Sequence, residues 1–162
     1  MSTVKVVPVP VSRKLEPRHI LNVVAFVAVI VVNTLANTLP LNGISTGEIS
    51  DAYPSLFTPA GYVFAIWLFI YLLLAVFIVY QILPAHRGNV RLEKLGYLFV
   101  ISCVFNIAWL FSWHYLQIPL SMLLMLGLLG TLIVAYERLE VGKSDVSRGE
   151  SLAVRLPFSV YL

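Results

Sequence analysis

The sequence predicts an all-α integral membrane protein, a bundle of transmembrane helices with four complete spans and the start of a fifth. Of its 162 residues, 59% are apolar and 12% are charged, about half the charged share of a typical soluble domain. Four long runs contain no Asp, Glu, Lys or Arg. Each is long enough to cross a hydrocarbon core of about 30 Å, which takes about 20 helical residues. The chain is therefore expected to fold with lipid as its solvent.

The charge-free runs define the predicted elements in order. A backbone polar group cannot be left unpaired in lipid, so each run is predicted to be a helix. The first run is too long, and too far from the N-terminus, to be the apolar region of a signal peptide. We predict a cytoplasmic, disordered tail over residues 1–19 and a single membrane domain over residues 20–162. Its spans cover about residues 20–39, 60–83, 95–113 and 118–136, with the start of the fifth at 156–162.

The basic residues predict the orientation. All eleven Lys and Arg residues lie in the N-terminal tail, the second loop or the segment after the fourth span, which share one side of the membrane in a zigzag of four spans. The positive-inside rule places this side, with the N-terminus, in the cytoplasm. We expect a multi-pass protein in the plasma membrane of a bacterium or archaeon. Nucleic acid is not an expected partner, because the basic residues flank spans and lack interleaved aromatic residues.

The last apolar stretch, LPFSVYL, follows Arg155. Proline is tolerated in the first turn of a helix, so Pro157 predicts a helix that begins here. Six or seven residues extend only about 10 Å as a helix, much less than a span. The stretch is either a short interfacial anchor or the start of a fifth helix at which the chain is cut. We favour the second alternative, in which most of a fifth pocket wall is absent.

A polar strip ends the first span. Asn33 and Asn37 are four residues apart and share a helix face, beside Thr34 and Thr38. An amide that faces lipid is costly, so the strip is expected to face the bundle or a water-filled cavity. It either forms hydrogen bonds between helices or makes the polar rim of a cavity mouth.

The loop that follows, Leu41–Thr58, is long for a connection between neighbouring helices. Ser45 and Glu48 have the spacing of a capping box, which predicts a short turn of helix within it. The loop is either a lid over a cavity or an exposed connector.

Aromatic residues form stripes on the second and third spans. At spacings of i, i+3 and i+7, the members of each stripe share one helix face. They are Phe64, Trp67 and Tyr71 in the second span, and Asn106, Trp109 and Trp113 in the third. Trp113 lies at the membrane boundary, where an aromatic belt is the usual explanation. From these residues alone, the deeper rings either line a pocket or pack between helices.

No motif for catalysis or metal binding is visible in the sequence, so we predict that the protein is not an enzyme. The three histidines lie scattered at span edges, and no acid lies within a span to relay protons. Cys103 is alone in the chain and is expected to be a small packing residue. Gly127 and Gly130 are expected to let helices pack closely.

Three segments, PAGYVFAIWLFIY, FNIAWLFSW and LPFSVYL, together resemble the TspO/MBR family of tryptophan-rich sensory and translocator proteins, related to the peripheral benzodiazepine receptor. The matching positions are Pro59, Gly61, Val63, Phe64, Trp67, Tyr71, Asn106, Trp109 and Pro157. The chain resembles a divergent member. Ala60 replaces a second proline, Tyr62 and Tyr161 stand where the family has tryptophans, and one residue is missing between Phe64 and Trp67.

The resemblance implies a five-helix bundle with a pocket that is covered by the loop after the first helix. It implies that the pocket binds a flat apolar ligand such as a porphyrin or another haem-type tetrapyrrole, that no cofactor is covalently bound, and that the protein forms homodimers in a lipid bilayer. Porphyrin breakdown as a side activity is implied by the resemblance only. The ligand-binding residues implied by the stripes and the resemblance are Pro59, Gly61, Tyr62, Phe64, Trp67, Tyr71, Asn106, Trp109 and Tyr161.

Two functional hypotheses follow. In the first, the protein is a membrane receptor or carrier, with a sensory or transport role, that binds a tetrapyrrole within the bundle. In the second, it is a membrane subunit without a ligand, such as a permease component or assembly partner, and its aromatic faces pack on other helices. Replacing Trp67 separates the two, because the first predicts weaker ligand binding and the second predicts loss of fold or assembly.

Overall fold

The computed structural model describes residues 14–39, 41–44, 46–52, 63 and 65–162, and every regular element within them is helical. In chain order these elements are α1 (Pro17–Thr38), a 3₁₀ turn (Leu41–Gly43), α2 (Thr46–Ala52), α3 (Ile66–Ile82), α4 (Val90–Leu95), α5 (Leu98–His114), α6 (Ile118–Arg138), α7 (Arg148–Glu150), a π turn (Ser151–Arg155) and α8 (Leu156–Tyr161). The all-helical prediction is confirmed for this part of the chain.

α1 begins three residues before the predicted start of the first span. Pro17 occupies the first turn, where its missing N–H has no partner to lose. Glu16 caps the helix, and its backbone N–H donates to Nδ1 of His19 at 3.1 Å. These local bonds give helical structure to residues 17–19, which were assigned to the tail. Residues 1–13 of that tail lie outside the described residues.

The other long helices follow the charge-free runs with shifted ends. α5 begins at Leu98 because Gly96, with φ of +58°, ends the short helix α4 before it. α3 begins at Ile66, while residues 60–62 and 64 lie outside the described residues. α1 and α6 are long and apolar enough to cross a membrane. α3 and α5 have 17 residues each, near the lower limit for a span, so the number of spans stays a prediction.

α8 begins at Leu156 with Pro157 in its first turn, as predicted, and α7 and the π turn extend helical structure back to Arg148. Ser147 caps α7 by accepting the Glu150 N–H at 3.2 Å. Pro157 therefore also lies within a longer, continuous helical run. A proline ring crowds the carbonyl four residues earlier and cannot donate to it. The π turn directly before Pro157 accommodates this, with the Leu156 N–H bonded to the Ser151 carbonyl.

Close packing between α5 and α6 depends on one glycine. A Cβ atom added to Gly127 would lie 2.5 Å from the Phe105 ring, whereas the same atom on Gly130 would meet nothing within 4 Å. The expectation of close helix approach therefore holds at Gly127 and not at Gly130.

A cluster of buried rings joins α3, α5 and α8. Phe77 lies 5.2 Å from Phe99 and 5.1 Å from Phe158, measured between ring centroids. All three side chains are almost fully buried. The free Cys103 is buried in the same core, as a packing residue would be. This cluster places the short α8 against the body of the bundle.

The surface is more apolar than that of a soluble protein, and several polar side chains are buried. Large apolar side chains such as Val24, Leu68 and Met122 are more than half exposed, at 58%, 66% and 68%. Asparagine, glutamine, serine and histidine side chains are buried between the helices. Such an arrangement suits a lipid solvent, and with the apolar helices it indicates a membrane protein.

Ionic contacts collect at one end of the bundle, which we call the basic end. There Arg91 bonds Glu150 at 3.2 Å and Lys94 bonds Glu140 at 2.6 Å. Arg155 donates to the carbonyl oxygens of Ser144 at 2.6 Å and Glu140 at 2.8 Å. These contacts hold the α6–α7 connection against α4 and the π turn. The charged groups that flank the predicted spans thus also bind one another.

Candidate functional site

A cavity of about 680 Å³ lies between α1, α3 and α5, away from the basic end. Its wall combines aromatic and aliphatic side chains of α3 and α5 with the C-terminal half of α1. The lining residues are Phe26, Ile30, Asn33, Thr34, Asn37, Thr38, Thr46, Ala65, Trp67, Leu68, Tyr71, Leu72, Ala75, Trp109 and Leu110. Its volume falls within the range of small-molecule sites, and so does its mainly apolar lining with a few polar groups.

The aromatic part of the wall is a row of stacked rings. Trp67 stacks on Trp109 of the neighbouring helix at 5.8 Å, with 27° between the ring planes. It also stacks on Tyr71 of its own helix at 5.9 Å, with 30° between the planes. Trp113 continues the row beyond Trp109 at 6.3 Å. The two predicted stripes therefore meet at Trp67 and Trp109, and both rings line the cavity.

The polar part of the wall comes from the end of α1. Asn33 donates to the Val29 carbonyl at 3.0 Å and to the Asn106 side-chain oxygen at 3.2 Å. Asn37 and Thr38 donate within their own helix, at 2.8 Å each, and remain exposed. Asn33 thus forms a hydrogen bond between two helices and also lines the cavity. Both predicted alternatives for the polar strip, a bond between helices and the rim of a cavity, therefore apply to this residue.

Asn106 and Tyr161 support the aromatic wall from within the bundle. Asn106 is fully buried and donates to the Tyr161 hydroxyl at 3.4 Å. The Tyr161 ring meets Trp67 edge to face at 6.4 Å. Neither residue is among those that line the cavity. The structure therefore places Tyr161 next to Trp67 and Asn106 next to Tyr161, and a direct contact with a ligand stays a prediction for each.

Four other predicted site residues lie outside the described residues. They are Pro59, Gly61, Tyr62 and Phe64. The structure gives no account of them, and their proposed roles remain predictions that come from the family resemblance.

The loop after α1 reaches the cavity through Thr46. The Trp113 indole N–H donates to the Thr46 carbonyl at 3.3 Å. The Nδ1 atom of His114 lies 2.9 Å from the Leu110 carbonyl, which can only accept, so this nitrogen carries the proton. In the neutral ring, the other nitrogen, 3.3 Å from the Thr46 hydroxyl, is the acceptor. His114 and Trp113 thus anchor the start of α2 over α5.

His114 was not identified as a site residue from the sequence. It is fully buried, and its backbone carbonyl also accepts a bond from Asn42 at 3.2 Å. Both loop partners lie about 70 residues away along the chain, so no local spacing signals the contact. Ser45 of the suggested capping box lies outside the described residues, although the short helix α2 is present.

Comparison with protein-family models supports the resemblance seen in the sequence. The model described as TSPO-like protein matches residues 19–162. Comparisons with curated proteins and with solved structures gave no match. The match covers the long helices, the cavity between them and the C-terminal helical segment, which is most of the chain. The chain therefore belongs to the TSPO-like protein family.

Proposed function

We propose that the protein is a membrane receptor or carrier that binds a flat aromatic ligand, a porphyrin or another tetrapyrrole, in the cavity between α1, α3 and α5. Membership of the TSPO-like family suggests a membrane protein with a ligand-binding or sensory role. The ligand class, the transport or sensory output and the homodimer belong to the proposal. So does the orientation with the N-terminus in the cytoplasm.

The stacked pair of Trp67 and Trp109 carries the proposal. The two rings stack on each other, and both line the cavity of about 680 Å³. Stacked aromatic rings contribute beyond simple burial of area, and they favour planar partners. A flat conjugated ligand fits such a wall better than a branched aliphatic ligand does.

The polar end of the cavity fits the acidic substituents that tetrapyrroles carry. The Asn37 amide uses one hydrogen for the Asn33 carbonyl, and an amide nitrogen carries two. Thr34 and Thr38 lie beside it on the same strip. A ligand with its ring against Trp67 and its polar edge toward Asn37 would match both parts of the wall. The proposal is one of binding and does not extend to porphyrin breakdown.

A titration of protoporphyrin IX into the purified protein, followed by tryptophan fluorescence, tests this proposal. We expect saturable quenching, and we expect Trp67→Leu to weaken binding about tenfold because a stacking face is lost. Phe111→Leu is the matched control, since it removes an exposed aromatic residue from α5 outside the cavity. Its affinity should equal that of the unmodified protein. Thermal unfolding of each variant shows whether it is folded.

Two outcomes would overturn the proposal. Unsaturable quenching that Trp67→Leu and Phe111→Leu share would mean that porphyrin only partitions into the detergent. Loss of fold or of assembly in Trp67→Leu, with no porphyrin binding by the unmodified protein, would favour the ligand-free membrane subunit.

A further inference from the structure

A second cavity, of about 330 Å³, lies at the basic end between the first turns of α1 and the end of α3. We call it the basic-end cleft. Apolar side chains make most of its wall, among them Ile20, Val23 and Ile82. His19 and Arg87 supply its polar groups. The cavity between α1, α3 and α5 shares none of these residues, so the two sites are separate.

His19 brings a buried donor to this cleft. Its Nδ1 atom accepts the Glu16 backbone N–H at 3.1 Å. A neutral imidazole that accepts at Nδ1 must carry its proton on Nε2, so Nε2 is a donor. The side chain is 1% exposed, and Nε2 has no hydrogen-bond partner among the described residues. A buried donor without an acceptor is costly, and an oxygen ligand would relieve that cost.

Two arginines lie near this donor. Arg87 lines the cleft, and its Nε donates to the Ile82 carbonyl at 2.9 Å, which fixes the side chain at the end of α3. Arg18 is buried beside His19 but lies 2.9 Å from a Glu16 oxygen and 3.8 Å from Glu93. Arg18 is not among the residues that line the cleft, whereas Arg87 is, so a ligand in the cleft would meet Arg87.

We propose that the basic-end cleft binds one anionic phospholipid, with the phosphate at His19 Nε2 and Arg87. One acyl chain would lie along the apolar wall formed by Ile20, Val23 and Val24. Basic pockets between membrane helices, at the level of the headgroups, are typical sites for acidic lipids. The long apolar wall favours a lipid over free phosphate. Because Nε2 exposes almost no surface, binding requires a small rotation of the His19 ring.

Native mass spectrometry of the detergent-solubilised protein tests this proposal. Dioleoyl phosphatidylglycerol and dioleoyl phosphatidylcholine are offered in equal amounts, and the retained lipid is counted. We expect one phosphatidylglycerol, retained about fivefold better than phosphatidylcholine, as one arginine near the headgroups would give. Arg87→Gln and His19→Phe should each remove most of this preference. His19→Gln, which keeps an N–H donor, should retain part of it.

Arg148→Gln is the matched control, because it removes one exposed positive charge from the same end outside the cleft. Its preference should equal that of the unmodified protein. Thermal unfolding identifies any variant that fails to fold, and Arg87→Gln tests the site without changing the cap of α1.

Three results would overturn the proposal. The first is equal retention of the two lipids by the unmodified protein. The second is equal loss of preference in Arg148→Gln and Arg87→Gln, which would mean that only the general charge of this end attracts acidic lipids. The third is displacement of phosphatidylglycerol by excess inorganic phosphate, which would assign the cleft to a small anion. Porphyrin binding in the other cavity is measured separately, and its failure does not affect this result.

Discussion

Two pairs of helices in this bundle are joined in opposite ways. α5 and α6 are in close contact, with Gly127 directly against the Phe105 ring. α1 and α3 both line each of the two cavities, the larger of them together with α5. The buried hydrogen bond from Asn22 to Gln81, at 2.7 Å, joins the second pair. A small residue thus permits close packing on one side, while polar contacts on the other side join helices and leave volume for ligands.

Replacing Gly127 by alanine should have the largest effect on stability. The added Cβ would lie 2.5 Å from the Phe105 ring, and relief requires the ring or the helices to move. We expect a loss of about 2 kcal/mol, as is typical when a packed interface is overfilled. Unfolding of the detergent-solubilised protein, followed by tryptophan fluorescence, measures it. Gly130→Ala is the matched control and should be neutral or slightly stabilising, because its position is open and alanine favours helix. Equal effects of the two changes would contradict this account of the interface.

Breaking the hydrogen bond between Asn22 of α1 and Gln81 of α3 should have an intermediate effect on stability. Asn22→Leu leaves the Gln81 side-chain oxygen buried without its donor. We expect a loss of about 1 kcal/mol, within the range measured for hydrogen bonds between membrane helices. The double variant Asn22→Leu, Gln81→Leu should recover part of the loss, since both polar groups are then removed. A double variant whose loss equals the sum of the single losses would show that the bond does not couple α1 to α3.

Removing the ion pair between Lys94 and Glu140, at the basic end, should have the smallest effect on stability. A hydrogen bond from Lys94, and then its charge, lower the pKa of the Glu140 carboxyl below its ordinary value of 4.5. Folding therefore favours the ionised form, so the stabilisation is complete above the unfolded pKa and is lost as the pH falls through the folded pKa. We expect Glu140→Gln to melt slightly below the unmodified protein at neutral pH. The difference should vanish in strong acid and shrink in high salt, because the pair is exposed. A difference that persists unchanged in acid would assign the effect to another contact.

The long helices could be predicted from the sequence because their signal is local. A charge-free run of sufficient length predicts a helix in lipid without reference to any other part of the chain. The helix ends could be predicted less accurately, because caps such as the pair formed by Glu16 and His19 depend on side-chain geometry. The helical turns from Arg148 to Arg155, which precede α8, were not predicted for a similar reason. Glu150 and Arg155 in these turns bind Arg91 and Ser144, and such polar contacts give no apolar signal.

The aromatic wall was only partly predictable. Helical spacing places Trp67 and Tyr71 on one face, but the rotation of α3 against α5 decides whether Trp67 meets Trp109. The link between Asn22 and Gln81 and the anchoring of Thr46 by His114 join residues far apart in sequence, so no short motif reveals them. Ligand contact by Trp67, Trp109 and the other predicted residues stays a prediction for the porphyrin titration.

The π turn before Pro157 changes the helical phase of the C-terminal segment. One extra residue in a turn rotates everything beyond it by about 100° relative to an uninterrupted α-helix. Glu150 before this turn and Arg155 at its end are directed to the ionic contacts of the basic end. Beyond it, Phe158 and Tyr161 are directed to the aromatic core and to Trp67. A single inserted residue thus lets one helix serve two chemically different neighbours, and a register without it would turn the Tyr161 ring away from the indole that it supports.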